Sequence, residues 1–226
     1  MTSADQVAAR RLAPVPRTTM QQHVYEALRA TIMRGELQPG ENVTIQGLAD
    51  ELGTSAMPVR EALRRLTAEK ALTVVSGRSV GVPPLSAARL ADLRRVRVEV
   101  EATAAGWAAA GITSAEVDRL RELLETLRRH EDSDDRRTFL AANQEFHFAI
   151  YRASRSETLL AIIEQLWLQI GPYLTLLHRS GNWRTANQWH AALLAALEDG
   201  DEAAARTAMA ADIDEAGEAL ARMLGD

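Results

Sequence analysis

The stretch from Ile45 to Val82 constrains this chain more than any other, because it sets two helices and a hairpin in one uninterrupted run. Thr44 is placed to cap a first short helix, Gly53 to take the left-handed conformation that ends it, and Ser55 to offer a hydroxyl to the unpaired amides of a second. Pro58 falls in the first turn of that second helix, where a missing amide costs little. Val59, Ala62, Leu63 and Leu66 recur at helical spacing as one apolar stripe, so Arg60, Arg64 and Arg65 fall on other faces. A helix-turn-helix with exposed arginines suits phosphate and base contacts in a major groove. Leu72 to Val75 and Ser79 to Val82 read as two short strands around a Ser76-Gly77-Arg78 tip, a β-hairpin wing. The side chains expected at a DNA surface are Thr44, Gln46, Ser55, Ala56, Met57, Arg60, Arg64 and Arg65, with Gly77 and Arg78 at the wing tip.

The pattern extends upstream through Leu28-Arg29, Ile32, Gly35, Leu37 and Pro39-Gly40, and continues in register through Leu48-Ala49, Leu52-Gly53, Ser55 and Pro58-Val59-Arg60-Glu61-Ala62-Leu63. So long a match resembles the winged helix of the GntR family of bacterial transcription regulators. Two positions depart from it: Ala56 stands where many members carry an arginine, and Asn42 where many have another. The base preference is therefore expected to differ from the family's usual operators.

With 226 residues the chain accommodates one large or two small domains, and the pattern supports two. There is no cysteine, which removes disulfide scaffolds and thiolate metal sites and fits a cytoplasmic location. No apolar run reads as long enough to span a bilayer, and the N-terminus lacks the charged-then-apolar layout of a signal peptide. The net charge of -5 is unevenly spread: residues 1–83 carry 10 basic and 8 acidic side chains, the remainder 16 and 23. The front part is the basic one, but only slightly, so DNA binding has to rest on where the arginines point and on doubling of the site in a dimer.

Residues 1–17, with Arg10, Arg11, Pro14 and Pro16, read as a mobile N-terminal arm. The winged helix-turn-helix domain spans 18–83, its first helix capped by Thr18 or Thr19 and stopped at Gly35. Pro83-Pro84 marks the boundary, and 84–226 reads as an all-α antiparallel bundle with helices at about 86–109, 114–130, 136–153, 157–178, 184–198 and 201–223. Gly171-Pro172 is expected to kink the fourth of these. The bundle resembles the FCD ligand-binding domain of the FadR subfamily of GntR regulators. The likeness rests on Arg97 to Glu101 before an alanine-rich run, on Phe146-His147, and on the spacing of His190, Leu193, Ala196, Gly200-Asp201, Ala205 and Met209.

Polar residues on the inward stripes of such a bundle require a reason. Asn143 and His147 share a stripe with Leu140 and Ile150, His190 lies among Ala186, Leu193 and Leu197, and Asp212 lies among Ala205, Met209, Ala216 and Ala219. A buried carboxylate and two imidazoles satisfy one another around a divalent cation, or as a metal-free hydrogen-bonded cluster. The resemblance bears on this choice. Many FCD domains bind a metal through an aspartate four residues before the Phe-His histidine, that histidine, and two later histidines. The matching positions here hold Asn143, His147, His190 and Asp212, a set suited to Zn, Ni or a similar ion. Arg97 lies on an inward stripe with Leu93, Val100 and Ala104, either as an anchor for an organic anion or as a partner of Glu101 one turn away. Arg97, Asn143, His147 and His190 are the expected effector contacts.

The chain is thus expected to be a ligand-responsive, non-enzymatic regulator that binds a pseudo-palindromic operator as a homodimer and senses a small carboxylate. Competing expectations are a constitutive DNA-binding dimer with a structural bundle, and a metalloenzyme using His147, His190 and Asp212 with an open metal position.

Overall fold

The computed structural model describes residues 20–76, 79–131, 133, 135–180 and 183–224, with the backbone alone for residues 178–180. The N-terminal arm, its Thr18 or Thr19 cap, the wing-tip residues Gly77 and Arg78, and the Gly181-Asn182 pair lie outside these. Helix α1 (Met20–Met33) buries Val24, Tyr25, Leu28, Ile32 and Met33, and Gly35 follows at φ 67°. Strand β1 (Asn42–Thr44) leads into α2 (Ile45–Glu51), where the Thr44 hydroxyl accepts the Gly47 amide at 3.0 Å. Gly53 takes the expected left-handed conformation, φ 60°. Helix α3 (Ala56–Ala68) buries Val59, Ala62, Leu63 and Leu66. Strands β2 (Thr73–Ser76) and β3 (Ser79–Gly81) form the wing, and β1 pairs antiparallel on β3's other edge, Val43 opposite Val80.

Two local expectations need correction. Ser55 is the N-cap of α3 but makes no side-chain capping bond. Its natural partner would be the amide two or three positions into the helix, and Pro58 occupies the third position without one. Strand β1 was not expected, because three residues are too short to show alternation.

The second half is helical: α4 (Ala87–Ala109), α5 (Ser114–His130), α6 (Arg136–Ala153), α7 (Glu157–Leu174), α8 (Trp183–Glu198) and α9 (Glu202–Leu224). Local caps set the starts. Ser86 accepts the Arg89 amide, Thr113 and Glu116 form a reciprocal capping box, and Asp135 and Ser156 accept the Thr138 and Leu159 amides. Helix α9 packs along α4 and α8, and α5 packs on α6 and α8. Beyond Pro172 the α-helix lasts only to Leu174 and then tightens into a 3-10 turn, Thr175–Ser180. Glu157–Leu177 also corrects the membrane expectation, being long and apolar enough to cross a bilayer with a mean hydropathy of 1.3. Ile163, Trp167, Leu168 and Ile170 on it are buried in the bundle, which accounts for its apolar character.

The two halves meet along α1 and α7. Arg29 pairs with Glu164 at 2.7 Å, and the Tyr173 hydroxyl donates to the Pro83 carbonyl. Arg89 donates to the Lys70 carbonyl and to Gln169, each at 3.1 Å. Gly171 lies so close to α1 that an added Cβ would stand 2.8 Å from the Met33 carbonyl oxygen, and one on Gly35 would run into Thr175. Replacing Gly171 by alanine should therefore cost about 1–3 kcal/mol of overpacking. A lowered Tm is expected, against little change for Gly111→Ala, whose Cβ meets nothing within 4 Å. Equal melting of the two variants would contradict the close approach.

Candidate functional site

On α3, Arg60 is exposed and makes no hydrogen bond or ion pair with any described residue. Arg64 points outward with its side chain 77% exposed and holds Glu61 at 3.0 Å. Arg65 is engaged elsewhere. Its guanidinium lies 3.6 Å from the centroid of the Tyr25 ring and bonds Glu69 at 3.0 Å, which ties α3 to α1. Burial and the Glu69 carboxylate push the Tyr25 phenol up to about 12. Gln46 bonds Asp50 within α2, and Thr44 is occupied by its cap, so neither side chain is free as the structure stands. At the start of α3 Met57 is exposed and Ala56 half-buried, and a groove between α3 and the wing is lined by Arg60, Arg64, Thr67, Val74 and Val80.

Inside the bundle, α6, α8 and α9 bring His147, His190 and Asp212 together. The two Nε2 atoms are 3.2 Å apart, His147 Nε2 lies 3.4 Å from one Asp212 oxygen, and His190 Nε2 lies 3.6 Å from the other. All three residues are buried, His190 completely. Their outer partners fix the proton positions. Asn187 donates its amide N–H to Glu131 at 2.8 Å, so its oxygen faces His190 Nδ1 at 3.3 Å and accepts a hydrogen bond from that N–H. Tyr151 donates its hydroxyl to Glu101, so its oxygen accepts from His147 Nδ1 at 3.3 Å. Both imidazoles thus turn an Nε2 lone pair toward Asp212, the orientation that second partners impose on metal-ligating histidines.

Burial dominates the electrostatics of this cluster. It holds His190 down at about 3 and, with the neighbouring His190 and Arg97, holds His147 well below its ordinary value. It raises Asp212 to about 7, against the pull of Arg97. Arg97 itself is buried and binds Glu101 through Nε at 2.6 Å and Nη2 at 3.2 Å, which is the intrahelical pairing; it also lines the cavity beside the cluster. Glu101 has no exposure, and Trp167 donates a further bond to it at 3.2 Å. The cavity of about 40 Å³ is bordered by Arg97, Asn143, His147, Leu174, Trp183 and Asp212, room for a few water-sized groups. Asn143 reaches this wall one turn before His147.

Tyr151, Asn187 and Trp167 were not singled out as partners of the histidines. The signal was there: Tyr151 follows His147 by one helical turn, and Asn187 precedes His190 by three residues. Tyr173 serves the junction with Pro83. Trp189 is turned toward Glu215, whereas Trp183 stacks on Phe139 at the cavity wall.

A winged helix-turn-helix joined to a helical bundle with a small polar cavity defines a class, the DNA-binding regulators that answer to a ligand. The sequence pattern of "Bacterial regulatory proteins, gntR family" matches residues 20–82, and that of "FCD domain" matches residues 92–215. The chain is 34% identical over 186 residues to "HTH-type transcriptional regulator McbR" of Escherichia coli (strain K12), spanning 81% of this chain and 84% of that protein. The solved structure of E. coli McbR/YncC overlays with a TM-score of 0.84 at 31% identity, covering 92% of this chain and 99% of the other. A "Probable D-xylose utilization operon transcriptional repressor" of Paenarthrobacter nicotinovorans is 30% identical over 193 residues, 85% of each chain. The chain belongs to the GntR family of bacterial transcription regulators, in the branch that carries an FCD domain.

The shifted groups set an expected pH behaviour for the ion-free protein. Asp212, raised to about 7 in the fold from 3.8, contributes stability that is full below 3.8 and lost as pH rises through 7. The histidines run the other way, contributing fully above 6.5 and losing stability as pH falls, toward about 3 for His190. In chelator, Asp212→Asn should therefore melt higher than the parent at pH 8, by on the order of a few kcal/mol, and the difference should vanish near pH 4. An Asp212→Asn protein that gains nothing at pH 8 would show that the carboxylate is already compensated.

Proposed function

We propose that this regulator divides near Pro83-Pro84, acts in the cytoplasm as a non-enzymatic homodimer on a pseudo-palindromic operator, and senses a small carboxylate at a divalent metal ion. The observation that carries the interior part is the convergence of two Nε2 lone pairs and a carboxylate on one point, with both outer nitrogens already committed. Such a set fits a borderline ion such as Zn or Ni. His147, His190 and Asp212 would hold it, and Asn143 lies on the wall where an amide oxygen could add a weaker bond. When bound, the ion supplies positive charge for an anionic ligand to complete. The chain's own residues prepare the place: Asn187 and Tyr151 set the tautomers, Glu101 holds Tyr151, and Arg97 lends a cationic edge to a cavity that admits only a small acid.

A metal-free form of the cluster is supported by one observation, the raised Asp212, which could place its own proton between the histidines. Elemental analysis of protein purified without a histidine tag separates the two. One equivalent of metal is expected, lost in His147→Ala and only weakened in Asn143→Ala. Chelation should remove the thermal stabilisation given by small carboxylates while leaving the helical signal intact. Metal-free protein that is still stabilised by a carboxylate would leave Arg97 and the histidines as the whole anion site.

The DNA-facing part rests on the exposed, uncommitted Arg60, and on Arg64 beside it. Arg60→Ala should weaken operator binding by about 1–3 kcal/mol if it reads a base and flatten the preference at that position. A two-fold operator requires a two-fold protein, so light scattering of the full chain should return twice the mass of 24.8 kDa. Unchanged affinity in Arg60→Ala, or a monomer at micromolar concentration, would count against these assignments.

A further inference from the structure

The exposed face of α3 is not simply basic. Ala56, Met57, Arg60 and Arg64 fall within one arc of the helix, and Met57 is 62% exposed while Met33 and Met209 are buried at 6% and 0%. The Ser55 hydroxyl at the head of the same face is not spent on capping. A methionine left in water at the leading end of a recognition helix has no packing role in the protein. Its partner must have apolar groups set among hydrogen-bond acceptors, because Arg60 stands one turn beyond Ala56 with no bond to any of the described residues. The major groove of DNA offers that combination: guanine presents acceptors to arginine, and thymine presents a methyl group.

We propose that Met57, with Ala56 beside it, reads thymine through its 5-methyl group, so that the preferred half-site places thymine next to the base taken by Arg60. The inference rests on the DNA-binding reading of α3 and goes beyond it to the identity of the bases. It also gives a physical reason for a weakly charged reading head to be selective. Methyl burial adds affinity without releasing counterions, so this part of the binding is insensitive to salt.

The test uses the full-length protein and DNA alone. Duplexes are selected from a random pool, and the best binder is resynthesised with deoxyuridine at each thymidine, which keeps every hydrogen-bonding group and removes only the methyls. The parent protein should bind the uracil duplex more weakly, by about fourfold for each methyl group that Met57 or Ala56 covers. Met57→Ala should shrink the difference between the two duplexes to the part that Ala56 contributes, and Met57→Leu should restore the full preference for thymine. Arg60→Ala should weaken binding to both forms while keeping their ratio. Since Met57 is exposed, thermal melts of its variants should match the parent and exclude a folding defect. Equal binding of thymine and uracil duplexes by the parent overturns the proposal, and so does a Met57→Ala protein that keeps the full difference. Failure to enrich any duplex would instead overturn the DNA-binding reading on which it stands.

Discussion

Glu101 is a carboxyl group with no access to water, and the interior of the helical half is arranged around satisfying its two oxygens. Arg97 supplies two hydrogen bonds from one turn earlier on the same helix, Tyr151 one from α6 and Trp167 one from α7. Buried carboxyl oxygens that lost these donors would be destabilising, so the three helices are held in one register by a hydrogen-bonding requirement as well as by apolar packing. The consequence reaches the histidines. Because Tyr151 donates its hydroxyl hydrogen bond to Glu101, its oxygen is left to accept from His147, and that decides which nitrogen of His147 faces the cavity. The donor set is therefore oriented from outside in, through a chain running from Arg97 by way of Glu101 and Tyr151 to His147.

The same helices divide the labour between binding and communication. Helix α7 gives Trp167 to the interior cluster and presents Glu164, before it, and Gly171 and Tyr173, beyond it, to the DNA-binding half. Its apolar composition, which by length alone would suit a membrane, follows from being packed by the bundle on one side and by α1 on another. The wing and α3 carry exposed apolar and basic side chains together, whereas the bundle, besides its exposed ion pairs, buries the Arg97–Glu101 pair in its interior.

Much of this was legible in the sequence, for reasons that differ from element to element. The helix limits were readable because Ser86, Thr113, Asp135 and Ser156 are local signals whose effect does not depend on the fold. The three donors were readable because each breaks an apolar stripe. What escaped was whatever depends on two distant segments meeting. Strand β1 exists only because β3 offers it an edge, and the stacking of Arg65 on Tyr25 joins α3 to a helix some forty residues earlier. Ser55 is the instructive local failure, since two favourable start signals, a serine cap and an early proline, cancel when the proline removes the amide that the serine needs.

The bare contact of Gly35 and Gly171 with their opposing segments has a consequence for regulation. Side chains usually cushion a domain junction, and rotamer changes there absorb small displacements. Here backbone meets backbone, so α7 cannot shift toward α1 by a few tenths of an ångström without moving it. A coupling so stiff works in both directions with equal strength. By whatever factor an occupant of the cavity alters the hold on DNA, the DNA alters the hold on that occupant, so a promoter-bound copy and a free copy read the same cellular concentration differently.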